Sequence, residues 1–264
     1  MLRGRTNPVM VTRIRPDGGR SRRPDKVIVE EPMEIRLDDH LVATTMRTPG
    51  HDYELAVGFL FAEGLLGGFH VNEVRYCATG SAVDTAFNLV SVSTNGKAPV
   101  PQPRLGTTTS SCGLCGSTTI DELADRLEPF AEPIDIDAPI VLEVARRVRA
   151  QQELFVVTGG VHAAAAFDLG TGEVGIVRED VGRHNAVDKV VGHLHLERAL
   201  PARGLGLFVS GRVSFEIVQK AWAAGFALVA GVSAPTALAV ETATRANLAL
   251  AGFLRDDGVN LYTS

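Results

Sequence analysis

The chain of 264 residues reads as an α/β protein with a largely parallel sheet in its C-terminal half and a smaller α+β part before it. Three observations carry that reading. From Ile140 onward, helix-period and strand-like runs alternate. Several of those strand-like runs end in small, hydroxyl or charged residues, as in Ser210-Gly211-Arg212 and Arg255-Asp256-Asp257-Gly258. Between the two halves the composition shifts abruptly to Pro, Gly, Ser and Thr over residues 95–111.

The elements follow in order. Residues 1–26 hold eight basic side chains against Asp17 and Asp25, and are expected to be a disordered, solvated arm. The N-terminal part, 27–139, opens with strand-like Val27–Val29 and Glu34–Leu37. Asp38-Asp39-His40 turns the chain into Leu41-Val42. Leu55, Phe59, Ala62 and Leu66 recur at helical spacing, which predicts a helix over Tyr53–Leu65. Strands are expected at Glu73–Cys77 and Phe87–Val92, then a long loop, 95–117. Thr119-x-x-Glu122 reads as a capping box opening a helix to about Leu127.

The C-terminal part, 140–264, begins with a helix over Ile140–Gln152, with Val141, Val144, Ala145 and Val148 on one stripe. A strand is expected at Leu154–Val157, ending in Thr158-Gly159-Gly160. Helices follow at Asn185–His195, Ser214–Ala224 and Pro235–Ala249, interleaved with strands Leu205–Val209, Ala227–Ala230 and Ala251–Leu254. In open α/β sheets ligands bind outside the carboxyl ends of the strands. The glycines, hydroxyls and arginines gathered at these ends suit a phosphate, through backbone donors and guanidinium groups.

Composition narrows the functional classes. The net charge of −5 hides 18 basic against 29 acidic residues outside the arm, which argues against broad nucleic-acid binding. Apolar runs such as Ala223–Val232 are too short to span a bilayer, and no apolar stretch follows the N-terminal arginines. A cytoplasmic protein is expected. Three cysteines cannot all pair internally, and reactive thiols fit that compartment better than a structural disulfide.

Two of those cysteines lie three residues apart in Ser110-Ser111-Cys112-Gly113-Leu114-Cys115-Gly116. Three chemistries compete for them. A structural zinc site needs four ligands, and the third cysteine, Cys77, sits in a strand-like segment that reads as core. A zinc deaminase would place an H-x-E before its P-C-x-x-C, but His195-Leu196-Glu197 comes some eighty residues after, and Ser111 replaces the proline. A thioredoxin-like motif sits between strand and helix early in a βαβ unit, not after a Pro-rich loop. Thiolate chemistry without metal fits best. A helix beginning near Thr119 favours thiolate only modestly at Cys112, because the dipole fades within a turn.

The cysteine loop resembles that of the FdhD family of formate dehydrogenase accessory sulfurtransferases. The likeness runs through Glu30–Ile35, Met46–Gly50, Gly58–Gly64, Thr158–Ala164, Arg178–Lys189, Ser210–Glu216, Val232–Thr236 and Asn260–Thr263, leaving out only the first 26 residues or so. The resemblance implies a cytidine-deaminase-like layered fold, a homodimer, and sulfur transfer through a cysteine persulfide on Cys112 with Cys115 as its partner. It further implies a cysteine desulfurase as donor, formate dehydrogenase as client, and molybdenum cofactor in its bis(guanine dinucleotide) form as the bound cargo, with no resident metal. The family's cofactor segment maps onto Phe253, Leu254, Arg255, Asp256, Asp257 and Gly258. Here the sequence departs from the family, since Gly258 stands where a second basic residue is common and Asp256-Asp257 adds negative charge. Arg255 would then hold phosphate alone in this segment, unless Arg183 or Arg212 assists. Two other classes stay open: a guanine-nucleotide-binding regulatory module, and a zinc-dependent deaminase-like hydrolase.

Of the remaining motif residues, Asn185 is expected to cap a helix, Asp188 and Lys189 to lie on an exposed charged patch, and Trp222 to be core.

Overall fold

A computed structural model describes residues 4–77, 81–101, 127–132 and 134–264. The first departure from expectation is at the N-terminus. Instead of a disordered arm, β1 (Thr6–Ile14) pairs antiparallel with β2 (Arg20–Ile28). Val9, Val11, Thr12 and Ile14 supply β-branched side chains that the arginines obscure in the composition. Gly18, at φ 80°, makes the turn, and Asp17 Oδ1 accepts from the Gly19 amide at 2.8 Å. The capping box and its expected helix lie outside the described residues, as does most of the 95–117 loop.

A second sheet, ordered β4-β3-β6-β5, comprises β3 (Glu31–Leu37), β4 (His40–Arg47), β5 (Glu73–Tyr76) and β6 (Leu89–Ser93). Met33, Ile35 and Leu37 alternate inward along β3 and pack against α1 (Asp52–Ala62).

The third sheet has six strands, ordered β12-β11-β10-β9-β7-β8: β7 (His162–Asp168), β8 (Val174–Asp180), β9 (Leu205–Val209), β10 (Leu228–Gly231), β11 (Ala249–Arg255) and β12 (Gly258–Thr263). Only β9, β10 and β11 run parallel; β12 and the β7–β8 pair flank them antiparallel. The sheet is therefore mixed, with the expected parallel part at its centre. Helix α2 (Ala138–Ala150) covers one face, where Val141, Val144 and Val148 meet Phe167 and Phe208. Helices α4 (Arg183–Leu196), α5 (Phe215–Ala224) and α6 (Ala237–Ala246) cover the other. Trp222 is core there, as expected, with its indole N–H donating to Glu128 O at 2.8 Å. No helix among the described residues is long and apolar enough to cross a membrane.

The strand expected at Leu154–Val157 is instead a short helix, α3 (Glu153–Thr158). The reason is tertiary: Glu179 on β8 accepts from the amides of both Leu154 and Phe155 at 2.8 Å, satisfying helix N-terminal donors that a strand would turn elsewhere. Gly159, at φ 64°, closes the helix.

Glu54 ties α1 to the six-stranded sheet. Its carboxylate accepts from Arg178 Nη2 at 2.7 Å and lies 3.1 Å from His193 Nδ1. Burial alone would raise the acid, but hydrogen bonds and charge from Arg178 and His51 outweigh it and hold Glu54 at about 2, against an ordinary 4.5. A folded value below the unfolded one means stability that is present above pH 4.5 and lost as pH falls toward 2. Glu54→Gln should therefore lower stability at pH 7 by up to about 3 kcal/mol and flatten the acid limb of a denaturation series. An unchanged acid limb in the variant would show that Glu54 contributes nothing.

Candidate functional site

The carboxyl ends of the parallel strands open into a cavity of about 640 Å³, closed on one side by α2. Ser210 after β9, Val232 after β10 and Leu254-Arg255-Asp256 at the end of β11 line it, with His162 at the start of β7. The three strand-end segments singled out in the sequence thus reach one cavity. Gly159 and Gly160 line it from the end of α3 rather than from a strand; Ser210 and Arg255-Asp256 do so directly. Ser233-Ala234-Pro235 lies just beyond Val232, where Ser233 O accepts from the Phe253 amide at 3.2 Å.

The segment Phe253–Gly258 divides. Leu254, Arg255 and Asp256 face the cavity, whereas Phe253 sits in the left-handed region at φ 53°, at an irregularity in the β11–β12 register. Asp257 in the β11–β12 turn and Gly258 at the start of β12 do not line it. Sequence reasoning missed the opposite wall. Arg146 and Arg149 of α2 also line the cavity; both lie off the apolar Val141–Val144–Val148 stripe, a position that in sequence marks only an exposed helix face. Cys112 and Cys115 lie outside the described residues.

Beside the cavity, Gly211 sits between His162 and Arg183. A Cβ on Gly211 would stand 3.2 Å from His162 Nδ1 and 3.8 Å from Arg183 Cδ, so the backbone's close approach uses a glycine. Burial, reinforced by Arg183 and His184, pushes His162 below the usual imidazole range, with Asp180 opposing. His162 is thereby kept neutral at pH 7, able to donate from one ring nitrogen and accept at the other. His184 Nε2 lies 3.0 Å from both Ser214 Oγ and Glu216 Oε2. Burial alone would raise Glu216, but His184, Lys220 and Arg183 bring it below the usual carboxylate range.

Behind this cluster Asp180, Asn185, Asp188 and Lys189 of the Arg178–Lys189 motif are structural. Lys189 and Asp180 form a fully buried pair at 2.6 Å, and Lys189 also donates to Thr48 O at 3.1 Å. Asn185 is not the helix cap, since Gly182 holds that position; its side-chain amide donates to Asp180 at 2.9 Å and to Met46 O at 2.8 Å. Asp188, expected on an exposed patch with Lys189, is buried 2.7 Å from Lys220 Nζ. Burial drives Asp188 up to about 6 despite that ammonium. These contacts join Met46–Thr48 of the four-stranded sheet to the helices beside the cavity.

The His195-Leu196-Glu197 part of the rival zinc motif lies at the end of α4. His195 stacks against Phe61 with ring centroids 5.2 Å apart, and Glu197 caps the end of α4. Cys77 is buried, with its Sγ 3.5 Å from Ser81 O. Among the described residues no group of three His, Cys, Asp or Glu is placed to hold a metal ion.

The fold and the sequence both have parallels among known proteins. A protein from Desulfotalea psychrophila, described as a candidate formate dehydrogenase accessory protein, has the same fold in its crystal structure. The TM-score is 0.78 at 24% identity, over 99% of this chain and 98% of that one. The sulfur carrier protein FdhD of Streptomyces coelicolor is 46% identical over 261 residues, which is 96% of this chain and 92% of the relative. Its counterpart in Mycolicibacterium paratuberculosis is 44% identical over 248 residues, 91% of each chain. The family model of FdhD/NarQ matches residues 28–264, from the end of the N-terminal hairpin to the last residue, and the chain belongs to the FdhD/NarQ family.

Proposed function

We propose that the protein is a sulfur carrier that loads persulfide sulfur on Cys112 from a cysteine desulfurase and delivers it to molybdenum cofactor in its bis(guanine dinucleotide) form, for formate dehydrogenase. The observation that carries this reading is the near-full-length identity to relatives named sulfur carrier protein FdhD, together with the SSCGLCG pair. The protein acts in the cytoplasm as a homodimer. In loading, the Cys112 thiolate attacks the outer sulfur of the donor persulfide; that sulfur moves to Cys112 and the desulfurase thiolate leaves. In release, Cys115 attacks the inner sulfur of the Cys112 persulfide. Sulfide departs, and the two electrons it carries come from the pair, which is left as a disulfide.

The test is intact-mass analysis after incubation with a cysteine desulfurase and cysteine. A reductant-sensitive adduct of one sulfur atom is expected; no adduct would leave a nucleotide-binding module as the better reading.

The cavity at the strand ends supports the cargo. Its apolar walls and arginines suit a base and its phosphates. GDP, which mimics half of the dinucleotide, should raise the melting temperature more than ADP at equal concentration, because a ligand binding only the native state stabilises it by mass action. Equal shifts would remove the guanine preference.

A further inference from the structure

We infer that Arg149 of α2 holds the phosphate end of the nucleotide in the strand-end cavity, in preference to Arg255; this rests on the nucleotide reading above and adds the residue that grips the charge. Three arginines line the cavity: Arg146 and Arg149 on one wall, Arg255 on the other. They are not equally available. Arg146 is committed to Glu143, with Nη2 2.7 Å from Oε2. Arg255 is followed by Asp256, which lines the same wall, so a phosphate near one guanidinium also meets a carboxylate. Arg149 alone of the three has neither an acidic neighbour in sequence nor an ion pair or side-chain hydrogen bond among the described residues.

Arg149 sits in the last turn of α2, where the helix dipole is negative. That end carries about half an elementary charge, which a full guanidinium charge more than offsets. The guanidinium also offers paired donors that match a phosphate's oxygens, whereas a single lysine would act as a point charge. The base has its own place. Phe155, 39% exposed, lines the cavity together with Phe208 and Leu254. An aromatic face left this open can stack a base, as in single-strand nucleotide recognition. Charge and ring are thus served by different residues, so the two contributions can be separated.

The experiment measures GDP and guanosine binding to the full chain by calorimetry, for the natural protein and for Arg149→Gln and Arg255→Gln. Arg149 is exposed, so its replacement leaves the fold intact, which circular dichroism checks. Arg149→Gln should raise the GDP dissociation constant at least about tenfold while guanosine changes less than about twofold, the loss expected for one charge-assisted contact. Arg255→Gln should raise the GDP constant by less than about threefold. GDP binding that survives Arg149→Gln within twofold would overturn the inference and leave the nucleotide reading standing. Equal losses for GDP and guanosine would overturn it too, because Arg149 would then shape the cavity rather than grip phosphate. A natural protein that binds neither ligand would overturn both.

Discussion

Cys112→Ala is expected to abolish both persulfide loading and activation of formate dehydrogenase, whereas Cys115→Ala should still load sulfur and activate poorly. The asymmetry follows from the chemistry of the two steps. Loading needs one nucleophilic thiolate and a leaving thiolate on the donor; it needs no second cysteine on the carrier. Release as sulfide needs two electrons, and the neighbouring thiol is their nearest source. Removing Cys115 therefore blocks turnover without blocking the first adduct. Removing Cys112 leaves Cys115, which the family resemblance does not place in the loading role. Intact mass reads the first step, and formate oxidation by the client reads the second. Full activation by the Cys112→Ala protein would end the assignment. Equal partial losses in the two variants would mean that the thiols are interchangeable.

How much of this was legible in the sequence depends on what each signal measures. Helix α2 was legible because burial on one side imposes a period that composition cannot hide, as in Val141, Val144 and Val148. Strands β9, β10 and β11 were legible as short apolar runs closed by turn residues. Strand β7 was not, because His162-Ala163-Ala164-Ala165-Ala166 has almost no β propensity and is held in place by pairing on both sides, to β8 and β9. Helix α3 was misread for the opposite reason: Leu154–Val157 looks like a strand until Glu179, some twenty-five residues away, caps it. Charge misled twice. The arginines of residues 1–26 suggested a solvated arm where a hairpin forms, and Asp188 and Lys189 looked solvent-facing because their partners, Lys220 and Asp180, are distant in sequence or across a turn. At the cavity, strand ends were readable locally, but Arg149 was not. A helix residue off the apolar stripe reads as solvated surface until the fold places strand ends opposite it.

Gly58→Val and Gly192→Val should be the most damaging single changes in the helices beside the site. Gly58 on α1 and Gly192 on α4 lie at a crossing where the two backbones nearly touch. A Cβ on Gly58 would stand 1.9 Å from Asp188 O, and one on Gly192 would stand 1.8 Å from Glu54 O. The obstruction is backbone, so no side chain can swing aside; the helices must separate. Replacing glycine inside a helix normally gains about 0.5–1 kcal/mol from reduced chain entropy. Against that stands overpacking, typically about 1–3 kcal/mol for small insertions, and more where two backbones are forced apart. Separation would also strain the neighbouring polar network, because Glu54 reaches from α1 to Arg178, and α4 carries Lys189 to Thr48 and Asp188 to Lys220. Breaking one such buried pair alone costs about 3–5 kcal/mol. The net loss should therefore exceed about 3 kcal/mol, a fall of roughly 10 °C in melting temperature for a chain of this size. Gly175→Ala is the control, since its Cβ would meet only Ala166 O at an ordinary 3.9 Å, and should change stability by less than about 0.5 kcal/mol. Because α4 begins with Arg183 and His184 beside the cavity, a partly folded Gly192→Val protein should also lose GDP binding. A melting temperature as high as that of the Gly175→Ala control would show that the helices can part at no cost.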